Sequence, residues 1–219
     1  AALADVAASL GNRSAVGVRI HPADLRSPEV PQQVVGATIA EFGRLDLLVN
    51  AGATKRGDFF ALTDGDWAYG FAFKFHGYVR MTRAAWPHLR QSNGSIVNIV
   101  GIDSRAGSGE FTIGGSVNAA LLNFTKAMAD LGIEQGVRVN AINPGLVETD
   151  RFGRNIERVM RERSLDRDAA GQFLLQSHAT RRIGQPEEIA ALTSYLVSRK
   201  ADFIQGALID IDGGATRSI

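Results

Sequence analysis

The sequence predicts an α/β protein built on a doubly wound parallel sheet, and three observations carry the prediction. Short, nearly continuous apolar runs recur at LDLLVNAG (45–52), SIVNIVG (95–101), VRVNAINPG (137–145) and ALIDIDGG (207–214). Strands covered on both faces of a parallel sheet read this way, without polar alternation. Between the runs lie stretches with apolar residues at helical spacing, long enough to serve as crossovers. Two of the runs end in Gly52 and Gly145, where a ligand across the carboxyl ends of the strands needs close approach to the backbone.

The remaining elements follow in order. AALADVAASLG sets small apolar groups around Asp5 in a helical rhythm that stops at Gly11 and Asn12. SAVGVRI (14–20) is a short β-branched run before the turn HPAD, and VPQQVVGATIAEFG (30–43) is predicted helical with its end at Gly43. One helix is expected through WAYGFAFKFHGYVRMTRAAWPHLRQ (67–91) and another through GSVNAALLNFTKAMADLGIEQ (115–135). The stretch 148–177 is polar, charged and helical in pattern. Its place after a strand's carboxyl end marks it as a mobile lid. PEEIAALTSYLVS opens a further helix on Pro186. No repeat or linker interrupts the pattern, so residues 1–219 are expected to form a single domain.

Composition narrows the function classes. Twenty-four Lys and Arg against 23 Asp and Glu leave a net charge of +1, with no basic stripe or acidic tail. Nucleic acid and anionic membrane are therefore not expected as partners. No apolar run reaches membrane-spanning length. The absence of cysteine excludes disulfides, thiolate metal sites and thiol nucleophiles and suits a cytoplasmic protein. The four histidines show no metal-ligand spacing.

Six segments, Asp24-Leu25, LDLLVNAG, GSIVNIV, VRVNAINPGLVET, RRIGQPEEIA and IQGALIDIDGG, occur in this order along the chain. Together they resemble the short-chain dehydrogenase/reductase family. The resemblance implies a Rossmann-like sheet, NAD or NADP as cofactor, and oxidoreduction of an alcohol or carbonyl in a small-molecule substrate. It places Asp24 and Leu25 near the adenine, and Asn50, Ala51 and Gly52 at a cofactor-facing strand end. Pro144, Gly145, Val147 and Thr149 would lie along the nicotinamide, Val147 through its amide and Thr149 through its hydroxyl. By themselves, Pro144 to Thr149 also read as a plain strand-to-helix turn. A homodimer or homotetramer is implied, assembled through the helices at 67–91 and 116–135 and the last strand. The family's glycine-rich phosphate turn has no counterpart in this sequence. The resemblance starts at the family's second helix, so about 30–40 residues, one βαβ unit, are expected to precede it in a longer natural chain. The strand whose end separates NAD from NADP falls in that unit.

The family moves its proton with an Asn-Ser-Tyr-Lys tetrad. Anchoring on SIVNIVG, NAALLNFTKA and MTRAAW puts Lys74 at the Asn position, Gly101 at the Ser, Gly114 at the Tyr and Asn118 at the Lys. Lys74 and Asn118 thus exchange the two residue types, which brings an ammonium to the same pocket from the other helix. Gly101 and Gly114 are expected to leave a cavity there, and a lysine beside it can act with a lowered pKa. Ser104 and Ser116 are expected to serve local backbone groups. His76, Asp103, Arg105 and Glu110 are read as surface or loop-capping groups near the mouth, and none of Tyr69, Tyr78 and Tyr195 falls in the loop before Asn118. Three functions follow: a nicotinamide-dependent oxidoreductase, a catalytically silent dinucleotide-binding or scaffold protein, or a non-redox lyase centred on Lys74.

Overall fold

The computed structural model describes residues 2–11 and 17–217. Four parallel strands form one sheet in the order β1 (Leu47–Ala51), β2 (Ser95–Ile99), β3 (Arg138–Pro144) and β4 (Leu208–Ile211). Each strand follows its predecessor in sequence and sits beside it in space, so every link is a helical crossover. The predicted runs thus become strands, although ALIDIDGG pairs only over Leu208–Ile211.

The pleat assigns the two faces. On β2, Ile96 joins Val35, Leu48, Leu89 and Val137 in a core shared with α2 (Val30–Phe42) and α4 (His76–Ser92). Its neighbour Val97 packs with Ile142 and Leu196 beneath α8 (Pro186–Val197) on the other side. Successive side chains on a strand face opposite ways, so the doubly covered sheet explains why SIVNIVG is apolar throughout. α5 (Thr112–Gln135) crosses the first face and buries Val117 and Leu121.

Helix ends follow the local chemistry. Gly43 takes a left-handed φ of 76° beyond α2, and its amide bonds the Ile39 carbonyl, as a glycine cap should. At the start of α8 the Glu188 carboxylate accepts from the Gln185 amide at 2.8 Å, and Pro186 supplies a first helical residue without a donor.

Two segments differ from expectation, and a third, 148–177, is helical as predicted. The helix expected over 67–91 is broken into α3 (Asp64–Gly70), a π segment at Phe71–Phe75, and α4. Residues 17–20 of SAVGVRI carry no strand, and 14–16 lie outside the described residues. The stretch 148–177 is two helices, α6 (Asp150–Arg163) and α7 (Arg167–Ser177), around a small core of their own including Phe152, Ile156 and Leu174. α1 (Ala2–Gly11) forms as expected, whereas Asn12 lies outside the described residues. No helix among the described residues is long and apolar enough to cross a membrane.

Candidate active site

A cavity of about 840 Å³ opens at the carboxyl ends of β1, β2 and β3, where doubly wound sheets take their ligands. Ala51 and Gly52 border it at β1, Val100 and Gly101 after β2, and Pro144 and Gly145 at the end of β3. α6 supplies a side wall.

Lys74 reaches this cavity from the π segment, whose last turn is closed by the His76 amide on the Phe71 carbonyl. Such turns are rare and concentrate at functional sites. Lys74 is only 3% exposed, and its Nζ donates to the Val100 carbonyl and to Asn118 Oδ1, both at 2.8 Å. Burial draws its pKa down to about 7; the Arg151 charge adds to the fall and Asp103 opposes it. Lys74 and Asn118, paired on sequence register alone, are therefore in direct contact.

The two glycines play different parts. Gly101 has a φ of 128°, and a Cβ there would sit 3.0 Å from Asn118 Nδ2. A side chain would strain the backbone and crowd the Lys74–Asn118 bond. At Gly114 the expected cavity is absent. A Cβ would lie 2.0 Å from Phe111 Cζ, because the buried Phe111 ring occupies that space. Phe111 was missed in the sequence, where only its closeness to a glycine pair hinted at it.

Tyr78 lies one helical turn beyond Lys74, its ring 5.9 Å from Nζ, closer than its sequence position suggested. Its hydroxyl donates to the Ile99 carbonyl at 2.9 Å, and burial pushes its pKa up. It is not among the cavity-lining residues, and it braces the end of β2.

The expected cofactor residues divide. Asn50 is buried, and its Nδ2 donates to Asn98 Oδ1 at 2.9 Å. Asn98 Nδ2 donates to Thr125 Oγ1, which donates on to the Leu121 carbonyl. This ladder ties β1, β2 and α5 together, and Asn50 does not line the cavity. Gly145 lines the cavity, and packing also requires a glycine there, since a Cβ would meet Asp212 Cα at 2.9 Å. At Gly52 a Cβ would make only ordinary contact with Tyr78 and Phe73. Thr149 caps α6 by accepting from the Phe152 amide. Val147 lines the cavity, and its amide has no acceptor among the described residues. Asp24 lies outside the cavity, exposed in the fork of the Arg26 guanidinium, whose hydrogen bonds hold its carboxyl at about 2. Leu25 packs under Gly77, also away from the cavity.

Of the other groups weighed, Asp103 lines the cavity. Arg105 turns away to Asp210 at 3.2 Å, His76 and Ser116 are exposed on their helices, and the buried Ser104 hydroxyl has no partner among the described residues. Glu110 pairs with Arg56 at 3.3 Å and Arg158 at 3.5 Å. Four arginines, Arg56, Arg151, Arg154 and Arg158, line the cavity; sequence reading passed over them. Their signal was the three-and-four spacing of Arg151, Arg154 and Arg158 within a segment read only as charged. No cluster of three or more potential metal ligands occurs among the described residues.

A parallel α/β sheet with a ligand-sized cavity at its strand ends and a titratable group buried in it defines the nucleotide-binding class of enzyme folds. A family model described as enoyl-(acyl carrier protein) reductase matches residues 1–216. An acetoacetyl-CoA reductase of Shinella zoogloeoides is 32% identical over 204 residues, which are 92% of this chain and 80% of that protein. The L-sorbose reductase of Gluconobacter frateurii, solved with NADPH and L-sorbose, superposes with a TM-score of 0.92 at 28% identity, covering 99% of this chain and 84% of that one. A short-chain oxidoreductase of Pseudomonas aeruginosa PAO1 described as containing an atypical catalytic centre superposes at 0.89 with 26% identity, over 99% of this chain and 84% of that one. The chain belongs to the short-chain dehydrogenase/reductase family.

Proposed function

We propose that this chain is a nicotinamide-dependent alcohol or carbonyl oxidoreductase in which Lys74 carries the proton. The observation that supports this most is the Lys74 ammonium, buried at the cavity, held by two acceptors and brought to a pKa of about 7. A proton donor titrating near the working pH is what reduction of a carbonyl requires.

The cavity suits the cofactor in two respects. The Val147 amide offers an unused donor, and the Thr54 hydroxyl is buried without a partner on the cavity lining. Gly52, Pro144, Val147 and Thr149 would hold the nicotinamide end of NAD or NADP. When bound, the nicotinamide supplies a hydride to the carbonyl carbon, or accepts one in oxidation.

The rest falls to the protein. Val100 O and Asn118 Oδ1 take two N–H bonds from Lys74 in either charge state. The third tetrahedral position of Nζ then carries a proton in the ammonium and a lone pair in the amine. In reduction the ammonium gives that proton to the carbonyl oxygen as the carbon gains its hydride; the products are an alcohol and a neutral Lys74, which is reprotonated from solvent. Asn118 keeps Nζ in place, and Gly101 leaves room for the Asn118 amide.

The test is turnover of a carbonyl panel by the full chain with NADPH and NADH. Lys74→Met is expected to lower kcat/KM for reduction by about 10²–10⁴, the usual contribution of a positioned acid, with cofactor affinity retained. In the parent, kcat/KM for reduction should fall about tenfold per pH unit above 7, because the required form is the ammonium. Undiminished turnover in Lys74→Met would sink the assignment. Borohydride trapping of a carbonyl ligand on Lys74 would favour the lyase chemistry instead.

A further inference from the structure

The arginines of the cavity are more numerous than its carboxylates can neutralise. Arg151, Arg154 and Arg158 project from one face of α6, and Arg56 comes from the loop after β1. The guanidinium carbons of Arg56 and Arg151 lie 4.8 and 5.2 Å from the centre of the Phe111 ring, a cation–π contact on each. Phe111, which fills the space over Gly114, therefore also fixes where these two cations stand.

Glu110 is shared between Arg56 and Arg158, and Glu162 takes a further bond from Arg158. Among the described residues no ion pair or side-chain hydrogen bond engages Arg151 or Arg154. Asp103 acts on Arg151 only through its charge, while Arg56 and Arg154 both act against the Arg151 cation. Lys74 adds another positive centre to the same cavity. Unpaired guanidinium groups gathered at a concave surface focus a positive potential, and a carboxylate or phosphate is the ligand whose geometry they match.

We infer that Arg151 and Arg154 seat an anionic group of the substrate, so that the carbonyl compound reduced at Lys74 carries a carboxylate at its far end. This rests on the reductase reading of the cavity and narrows it. The same guanidinium groups could instead meet the diphosphate of the dinucleotide, which is also an anion, so the experiment separates the two sources.

The probes are a panel of short oxo acids and their uncharged methyl esters. Binding is read by calorimetry in the presence of NADPH, and NADPH binding is measured separately. In the parent, at least one oxo acid is expected to bind about tenfold or more tighter than its ester, as a charge-assisted bidentate contact provides. Arg151→Gln combined with Arg154→Gln should erase that preference and leave ester and NADPH affinities within about twofold. Arg151→Lys with Arg154→Lys should retain part of it, which separates charge from fold. No preference for any oxo acid in the parent would overturn the proposal. So would a preference that survives in the double Gln variant, or a loss of NADPH affinity with the preference intact, which would give the arginines to the cofactor. Arginine-dependent binding of an oxo acid that is never reduced would leave the anion site standing and remove the reductase reading alone.

Discussion

The two walls of the cavity are built on opposite principles. At the strand ends, Lys74, Asn118 and Val100 are buried, Lys74 is bonded to the other two, and the Asn50–Asn98–Thr125 ladder ties the strands beneath. On α6, the Arg151 and Arg154 side chains are exposed and free of ion pairs among the described residues. Burial makes the first wall sensitive to protons, because removing an ammonium from water shifts its equilibrium. Partial desolvation, with Arg56 nearby, lowers the pKa of Arg151, but a guanidinium does not titrate in the working range, so the second wall stays charged. One wall suits proton transfer, and the other suits recognition.

Stability against pH gives the largest contrast between them. The folded pKa of Lys74 is about 7 against an ordinary value of 10.5. Between these limits the unfolded chain holds the extra proton, so stability rises with pH across that window and the penalty is fully present below pH 7. The difference amounts to something on the order of 4–5 kcal/mol. Denaturant unfolding of the parent minus Lys74→Met, followed from pH 6 to 10, should trace that rise; a flat difference would mean that Lys74 stays hydrated. The arginines of α6 should contribute no such slope.

A smaller effect probes the join between the walls. Gly114→Ala would place a methyl inside the Phe111 ring position, and overpacking of this kind costs about 1–3 kcal/mol. Because Phe111 also contacts Arg56 and Arg151, its displacement should weaken oxo-acid binding more than ester binding. Equal weakening of both would separate Phe111 from the charged wall. The smallest effect is expected from Glu162→Gln, which removes only an exposed i,i+4 partner of Arg158. Its unfolding free energy should change by about 0.5 kcal/mol or less.

Much of this was legible in the sequence, and the reasons are local. Strands buried on both faces announce themselves as apolar runs, and Gly43 marked a helix end because no other residue takes that φ as easily. Even the Lys74–Asn118 contact followed from register, since both positions are fixed by flanking segments that match a known family. Other features depend on packing that spacing does not encode. Nothing in FAFKF signals a π turn. The filling of Gly114 by Phe111 depends on the path of the preceding loop. The arginine face of α6 acquires meaning only once that helix is known to wall the cavity. Gly145 is a caution of a different kind: its side is closed by the backbone at Asp212, a neighbour 67 residues away that the turn sequence could not name.

The π segment at Phe71–Phe75 has a bearing on how such a site arises and can be lost. One residue more or less in a helical turn rotates everything beyond it by about 100°, so the length of this segment, as much as the choice of lysine, decides what faces the cavity. Exchanging side chains one at a time leaves that length untouched. Variation by single insertions and deletions between Gly70 and His76 reaches arrangements of the site that point substitution alone never samples.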